Sequence, residues 1–142
     1  MIMNNLSDYF ESEQEYYLDS ISYERIEKNF SQTEVQIFCK DVITANVFEG
    51  DKVRVTVTRE LKFAPEILFK LLISYGVVLR IASEKKNDID WEKIDLSSEF
   101  RDNGSFATGN LFNRISLLIG NITGSFGQSP LIVPPQFLKT EK

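Results

Sequence analysis

The chain contains no histidine. That absence removes Ser-His-Asp and Cys-His catalysis and the usual zinc enzymes, all of which depend on imidazole. There is a single cysteine, Cys39, so no internal disulfide can close. Its place on the apolar side of a strand favours a reducing compartment, the cytoplasm. Long hydrophobic runs are lacking too: the apolar stretches are too short to span a bilayer. The start, Met1 to Glu15, has neither the basic region nor the apolar run of a secretion signal. Positive charge is in the minority, with 16 Lys and Arg against 21 Asp and Glu and a net charge of −5. Without a basic helix or an RNA-binding aromatic signature, such a chain neutralises phosphate poorly. Neither nucleic acid nor a membrane is an expected partner.

Catalysis by paired carboxylates needs no imidazole, and Glu11, Glu13, Glu15, Asp88, Asp90, Glu92 and Asp95 are candidates by residue type. They sit in polar, loop-like or helix-surface contexts, where a solvated acidic surface is the ordinary outcome. No dyad is positioned, no metal-ligand set is spaced, and no cofactor is expected. Gly120, Gly124 and Gly127 match neither the dinucleotide nor the P-loop spacing and close a helix instead of opening one. The expectation is a protein that is not an enzyme.

What is present is a strand pattern. Val53, Val55, Val57, Leu61 and Phe63 alternate with Lys52, Arg54, Thr56, Thr58, Glu60 and Lys62, a period of two rich in β-branched residues. This third strand spans about 51–63. Before it, Val35, Ile37, Cys39, Ile43, Ala45 and Val47 share one side of a second strand over about 34–48. Asp41 interrupts that side and is read as a bulge. Glu49-Gly50-Asp51 forms the turn. After Ala64-Pro65-Glu66, a fourth strand covers about 67–82, with Ile67, Phe69, Leu71, Ile73, Tyr75, Val77, Leu79 and Ile81 on its apolar side. Gly76 marks a bend or a close approach. A first strand is expected over 16–26, with Tyr17, Ile21 and Tyr23 opposite Ser20, Ser22 and Glu24. Short connections imply an antiparallel meander.

Helices follow the strands. Asp90 is placed to cap a short helix from Trp91 to about Phe100, stopped at Asn103-Gly104. A long helix over about 108–123 carries Leu111, Phe112, Ile115, Leu118, Ile119 and Ile122 as one apolar stripe suited to the sheet. The fold class is therefore α+β: a four-stranded antiparallel meander sheet with a short and a long helix packed on one face. Residues 1–15 read as an acidic, partly flexible N-terminal segment and 16–142 as one domain. Trp91, Phe100, Phe106, Phe126 and Phe137 lie in or beside the least regular parts, where they form an adaptable apolar groove or plug the rim of the core. The charged even side of the third strand is either a docking face or simply the wet side of the sheet.

The order of elements and several local motifs resemble the SecB family of export chaperones. Ile21-Ser22-Tyr23-Glu24 is similar to the family's first-strand motif, and Val55-Thr56-Val57-Thr58 to its third-strand core. Leu111-Phe112 opens the helix as the family's Leu-Phe pair does. Gly124-Ser125-Phe126 and Pro135-Gln136-Phe137 echo its Gly-Thr-Phe turn and Pro-x-Asn-Phe ending. The resemblance covers about residues 16–138.

It implies an ATP-independent holdase that binds unfolded or extended apolar polypeptide segments, assembled as a homo-oligomer, a dimer or a tetramer. Phe30, Phe126, Leu131, Ile132 and Phe137 are the expected peptide-binding groove, and Asp19, Glu24, Arg54 and Glu60 the expected partner-docking sheet face. In export members that face is acidic and meets the SecA translocase. Here Ser20 stands where the family carries an acid before the first-strand Ile, and the exposed side of the third strand is largely basic. Other relatives protect an antitoxin, so the alternative is one dedicated protein client without general chaperone activity.

Overall fold

The computed structural model describes residues 5–26, 36–64 and 68–124. Four strands form one antiparallel sheet: β1 (Phe10–Ile26), β2 (Gln36–Phe48), β3 (Lys52–Ala64) and β4 (Leu68–Ile81). They are followed by α1 (Leu96–Asn103) and α2 (Ser105–Gly124). The sheet order is β1-β4-β3-β2. The meander expected from short connections covers β2, β3 and β4. The first strand instead joins on the far side of β4, so the chain between Ile26 and Gln36 links opposite edges, a Greek-key arrangement.

The alternation in β3 sets the two faces. Val53, Val55, Val57 and Leu61 are fully buried, and register pairs their inner side with Leu79, Val77, Tyr75 and Leu71 of β4. α1 packs on β2, and α2 lies across β3 and β4. Leu111, Phe112, Ile115 and Ile119 of α2 are buried against this inner face. The apolar stripe at spacings of three and four thus meets the period-two stripe of the sheet, the two-layer solution that hides both.

Three local expectations are corrected. First, Asp41 does not mark a bulge: β2 and β3 keep an unbroken register from Gln36↔Ala64 to Phe48↔Lys52. Asp41 turns inward and accepts two hydrogen bonds from Arg59, Nε to Oδ1 at 2.6 Å and Nη2 to Oδ2 at 2.8 Å. Both side chains are fully buried, and the Phe112 ring lies 5.1 Å from the guanidinium. Charges can occupy this core because each satisfies the other in a two-pronged geometry.

Second, the short helix begins at Leu96, not Trp91. Asp95 is its cap, accepting from the Ser98 N–H at 3.2 Å. Trp91 instead enters the core, its indole N–H donating to the Lys86 carbonyl at 3.1 Å. The long helix starts at Ser105 immediately after Gly104, earlier than Thr108. Gly104 has no space for a side chain, since a Cβ there would lie 2.5 Å from the Phe100 carbonyl oxygen. Third, a 3-10 turn at Leu6–Tyr9 leads directly into a first strand that starts at Phe10 rather than Tyr16. Burial of Leu6 and Phe10 ties this segment to the core.

Candidate functional site

Two surfaces of the sheet carry side chains that folding leaves unsatisfied. On the inner face, the helices cover only the middle. α2 progresses along the sheet from Phe106, which stacks on Phe10, to Asn110, whose amide donates to the Tyr16 hydroxyl at 3.1 Å. Further along, the Arg114 guanidinium sits 4.6 Å from the Tyr16 ring and 5.9 Å from the Tyr75 ring. Beside this track, the second half of β1 is left open. Leu18, Ile21 and Tyr23 are 43–46% exposed although all three point to the helix side. Ile37, on the opposite edge strand, is equally exposed on that side, and Leu117 of α2 is 70% exposed. Tyr23 leans on Phe69, which meets Phe63 edge-on at 5.0 Å. Adjacent apolar side chains left in water on one face make this row the candidate interaction surface.

The face assignments in β1 depend on a bulge that its sequence hides. Leu18 pairs with Tyr75 and Ser20 with Ser74, so Asp19 is an extra residue. Before it, even-numbered residues point inward; after it, odd-numbered ones do. Tyr17 therefore does not share a side with Ile21 and Tyr23, as simple alternation predicts. Its ring lies on the outer face over Gly76, where a Cβ would come within 2.3 Å of the ring carbon Cζ. Gly76 is a close approach, one of the two readings its sequence allowed.

Of the residues expected at a peptide groove, Phe30, Phe126, Leu131, Ile132 and Phe137 all lie outside the described residues. Of the expected docking residues, Glu24, Arg54 and Glu60 share the outer face but do not converge. Glu24 sits on β1 in register with Lys70 of β4, and Asp19 lies at the exposed bulge. Arg54 and Glu60 stand on β3 six positions apart, about 20 Å along a strand. Arg54 stacks on the Phe48 ring at 4.4 Å. The aromatics weighed as groove or plug divide plainly where they are described. Phe10, Trp91, Phe100 and Phe106 form one cluster with neighbouring centroids 5.6–6.1 Å apart. Burial of Trp91 and Phe100 makes them core plugs.

Several of the carboxylates weighed as candidates gather at one place. Asp88, Asp90, Asp95 and Glu99 line a shallow cavity of about 660 Å³ beside α1, with Lys93 among them. Among the described residues, no group of three or more His, Cys, Asp or Glu side chains is placed to hold a metal ion. Cys39 is half-buried on the inner face of β2, and its thiol lies 3.8 Å from Asp41 Oδ1. Burial pushes its pKa up to about 11, with Arg59 opposing and the Asp41 carboxylate reinforcing the shift. That thiol is a weak nucleophile at neutral pH. No described helix is long and apolar enough to cross a membrane.

Comparison with known proteins places the fold. No protein-family model matches the chain, and no curated protein sequence does. Among solved structures, the chain is similar to the Rv1957 SecB-like chaperone of Mycobacterium tuberculosis, solved in complex with a ChAD peptide from the Rv1956 HigA1 antitoxin. The TM-score is 0.68 at 11% sequence identity, covering 91% of this chain and 92% of that one. A protein of unknown function from Streptococcus agalactiae also aligns, with a TM-score of 0.43 at 11% identity over 88% of this chain and 98% of that one. The architecture is thus SecB-like: an α+β fold with a four-stranded antiparallel sheet and two helices on one face.

Proposed function

We propose that the protein is an ATP-independent holdase that captures extended apolar segments of other polypeptides. The observation that carries this reading is the open apolar row on β1: Leu18, Ile21 and Tyr23, on the helix side of the sheet and uncovered by the helices. An extended client laid along that row buries its apolar side chains against the three residues and offers its backbone to the outer edge of β1, which pairs with no other strand among the described residues. Main-chain pairing of this kind gives affinity that tolerates many sequences. The SecB-like architecture supports the reading, because one structural neighbour is a chaperone solved with a bound peptide. In this proposal the protein catalyses nothing, works in the cytoplasm and acts as a homo-oligomer.

That neighbour's peptide comes from an antitoxin, which favours a second reading, a dedicated guardian of one client. Breadth separates the two. A general holder slows aggregation of several unrelated denatured proteins without ATP, while a dedicated one protects only its own partner. The deciding experiment combines light scattering for mass with aggregation assays on three unrelated clients, using the natural chain and Leu18→Ser/Ile21→Ser/Tyr23→Ser. The expected result is suppression by the natural chain that the triple variant loses while keeping its melting temperature. A monomer that protects none of the clients overturns the general reading. Equal protection by the triple variant removes β1 as the site.

A further inference from the structure

The outer face of the sheet, opposite the helices, has a charge pattern that sets it apart from the acidic chain as a whole. The even-numbered positions of β2, β3 and β4 carry six cations, Lys40, Lys52, Arg54, Lys62, Lys70 and Arg80, and one carboxylate, Glu60. In a chain of net charge −5, this is a concentration of positive charge on one flat surface. Part of it is balanced locally. Lys52 pairs with Glu49 at 2.9 Å, and Arg80 lies 3.8 Å from Glu11 and 3.9 Å from Asp51. Lys40, Arg54 and Lys62 make no ion pair among the described residues. All three are exposed. Arg54 is held by its stacking on Phe48 and so presents a fixed charge.

The cations fall in two groups with a smooth strip between them. One group is Lys52, Arg54 and Arg80; the other is Lys40, Lys62 and Lys70. Arg54 and Lys62 are eight positions apart on one strand, about 27 Å. Between them lie rows of small side chains: Thr44, Thr56 and Gly76, then Thr58 and Ser74, whose hydroxyls are bonded to each other at 2.7 Å. The Tyr17 ring lies over Gly76 in this strip, Val42 pairs with Thr58 at its β2 end, and Glu60 and Leu72 stand between it and Lys62. Exposed apolar residues share this face, Phe38 and Val42 on β2 and Leu68 at the start of β4. The neighbouring β1 brings carboxylates to its border, Glu15 and Glu24.

We infer that this face docks an acidic, extended segment of a partner protein, its carboxylates reaching the two cation groups and its backbone lying over the threonine strip. Charge complementarity names the sign of the partner. Phe38 and Val42 give apolar side chains of a polypeptide a place to rest, which a sugar-phosphate backbone would not use. The acidic border on β1 repels a long uniform polyanion and leaves room for a mixed segment. The inference stands apart from client capture on the inner face, since the two surfaces are opposite sides of one sheet.

The probe is a labelled peptide of about twelve residues with Glu at alternate positions and Leu between them, long enough at about 40 Å to span both cation groups. Its binding to the full chain is followed by fluorescence anisotropy, beside the same peptide with Lys for Glu and a single-stranded oligonucleotide of equal negative charge. The expected result is that the Glu peptide binds and the Lys peptide does not. Arg54→Glu/Lys62→Glu then weakens binding at least about tenfold, and salt weakens it further, as rim charges do. Arg54→Gln/Lys62→Gln, which removes charge without reversing it, falls between. Unchanged melting of both variants separates lost docking from lost folding. Affinity unaltered by the Glu variant, or an oligonucleotide bound as tightly as the Glu peptide, overturns the inference. Aggregation suppression by Arg54→Glu/Lys62→Glu reads client capture separately, so failure on one face does not imply failure on the other.

Discussion

β1 and β3 are built from similar alternations of apolar and polar residues, yet the molecule treats them differently. β3 is central, paired on both sides, and roofed by α2; Val53, Val55 and Val57 lose all contact with water. β1 is an edge strand of 17 residues whose inner-facing Leu18, Ile21 and Tyr23 stay nearly half exposed. Folding explains the first strand of this comparison completely and the second only in part. An edge with apolar residues in water is normally a hazard that proteins blunt or cover. The opposite edge shows such cover: the Ser97 hydroxyl of α1 accepts from the Ala45 N–H of β2 at 2.9 Å. On β1, by contrast, Leu18, Ile21 and Tyr23 keep their exposure.

The largest test of the comparison lies in the buried pair that stitches β3 to β2. Asp41→Ala strands the Arg59 charge in the core, and the expected loss is about 3–5 kcal/mol in urea unfolding, the usual effect of halving a buried ion pair. Replacing both partners together, as in Asp41→Leu/Arg59→Met, is expected to recover most of that loss. A small effect of Asp41→Ala would show that water reaches Arg59 and that the inner face of β3 is less sealed than its burial indicates.

Next in size is a matched pair of truncations at residues that face each other across β1 and β4. Ile73 is fully buried and Ile21 is its register partner. Ile73→Ala is expected to cost about 2–5 kcal/mol, as buried large-to-small changes do. Ile21→Ala should stay within about 0.5 kcal/mol, as exposed positions do, while reducing client protection. Equal costs at both positions would mean that β1 belongs to the core after all and would remove the motive for a binding role there.

Much of this architecture is legible in the residues. The alternation at 53–63 and the stripe from Leu111 to Ile122 define the two layers because each has one periodicity and nothing interrupts it. The pairing of β1 was not legible, because period-two patterns say which side faces a core and not which neighbour a strand takes. The bulge at Asp19 stayed hidden for a related reason: one inserted residue exchanges the faces, and Tyr17 then looks like a partner of Ile21 when it is not. The Asp41–Arg59 pair did leave a signal. Both residues break an apolar side, and they stand nine positions before and after Gly50 in the hairpin turn, as the register Asp41↔Arg59 requires. The start of α1 was misplaced because Asp90 and Asp95 are equally good caps in isolation, and the burial of Trp91 decides between them. The candidate site was the least legible. Its expected groove residues fall outside the described residues, and the exposed row on β1 looks from sequence like any half-buried strand.

The smallest effect concerns how β1 is held to β4 on the outer side. Tyr17 covers Gly76, and any side chain at residue 76 meets the ring. The ring end is movable, so Gly76→Ala need only push it aside, at an expected cost of about 1 kcal/mol, the low end for overpacking. Tyr17→Ala alone also destabilises, because the ring no longer shields the strand pair. In the double variant the clash is gone, so the two costs should not add, and a double-mutant cycle reads the coupling directly. Hydrogen exchange at residues 14–24 supplies the sharper readout. If Tyr17 is what keeps this edge registered, Gly76→Ala should speed exchange along β1 while leaving the β3 amides slow. Uniform acceleration in both strands would show instead that β1 opens only when the whole sheet does. The half-exposed row would then be as rigid as the core, and client binding would have to proceed on a preformed surface without local opening.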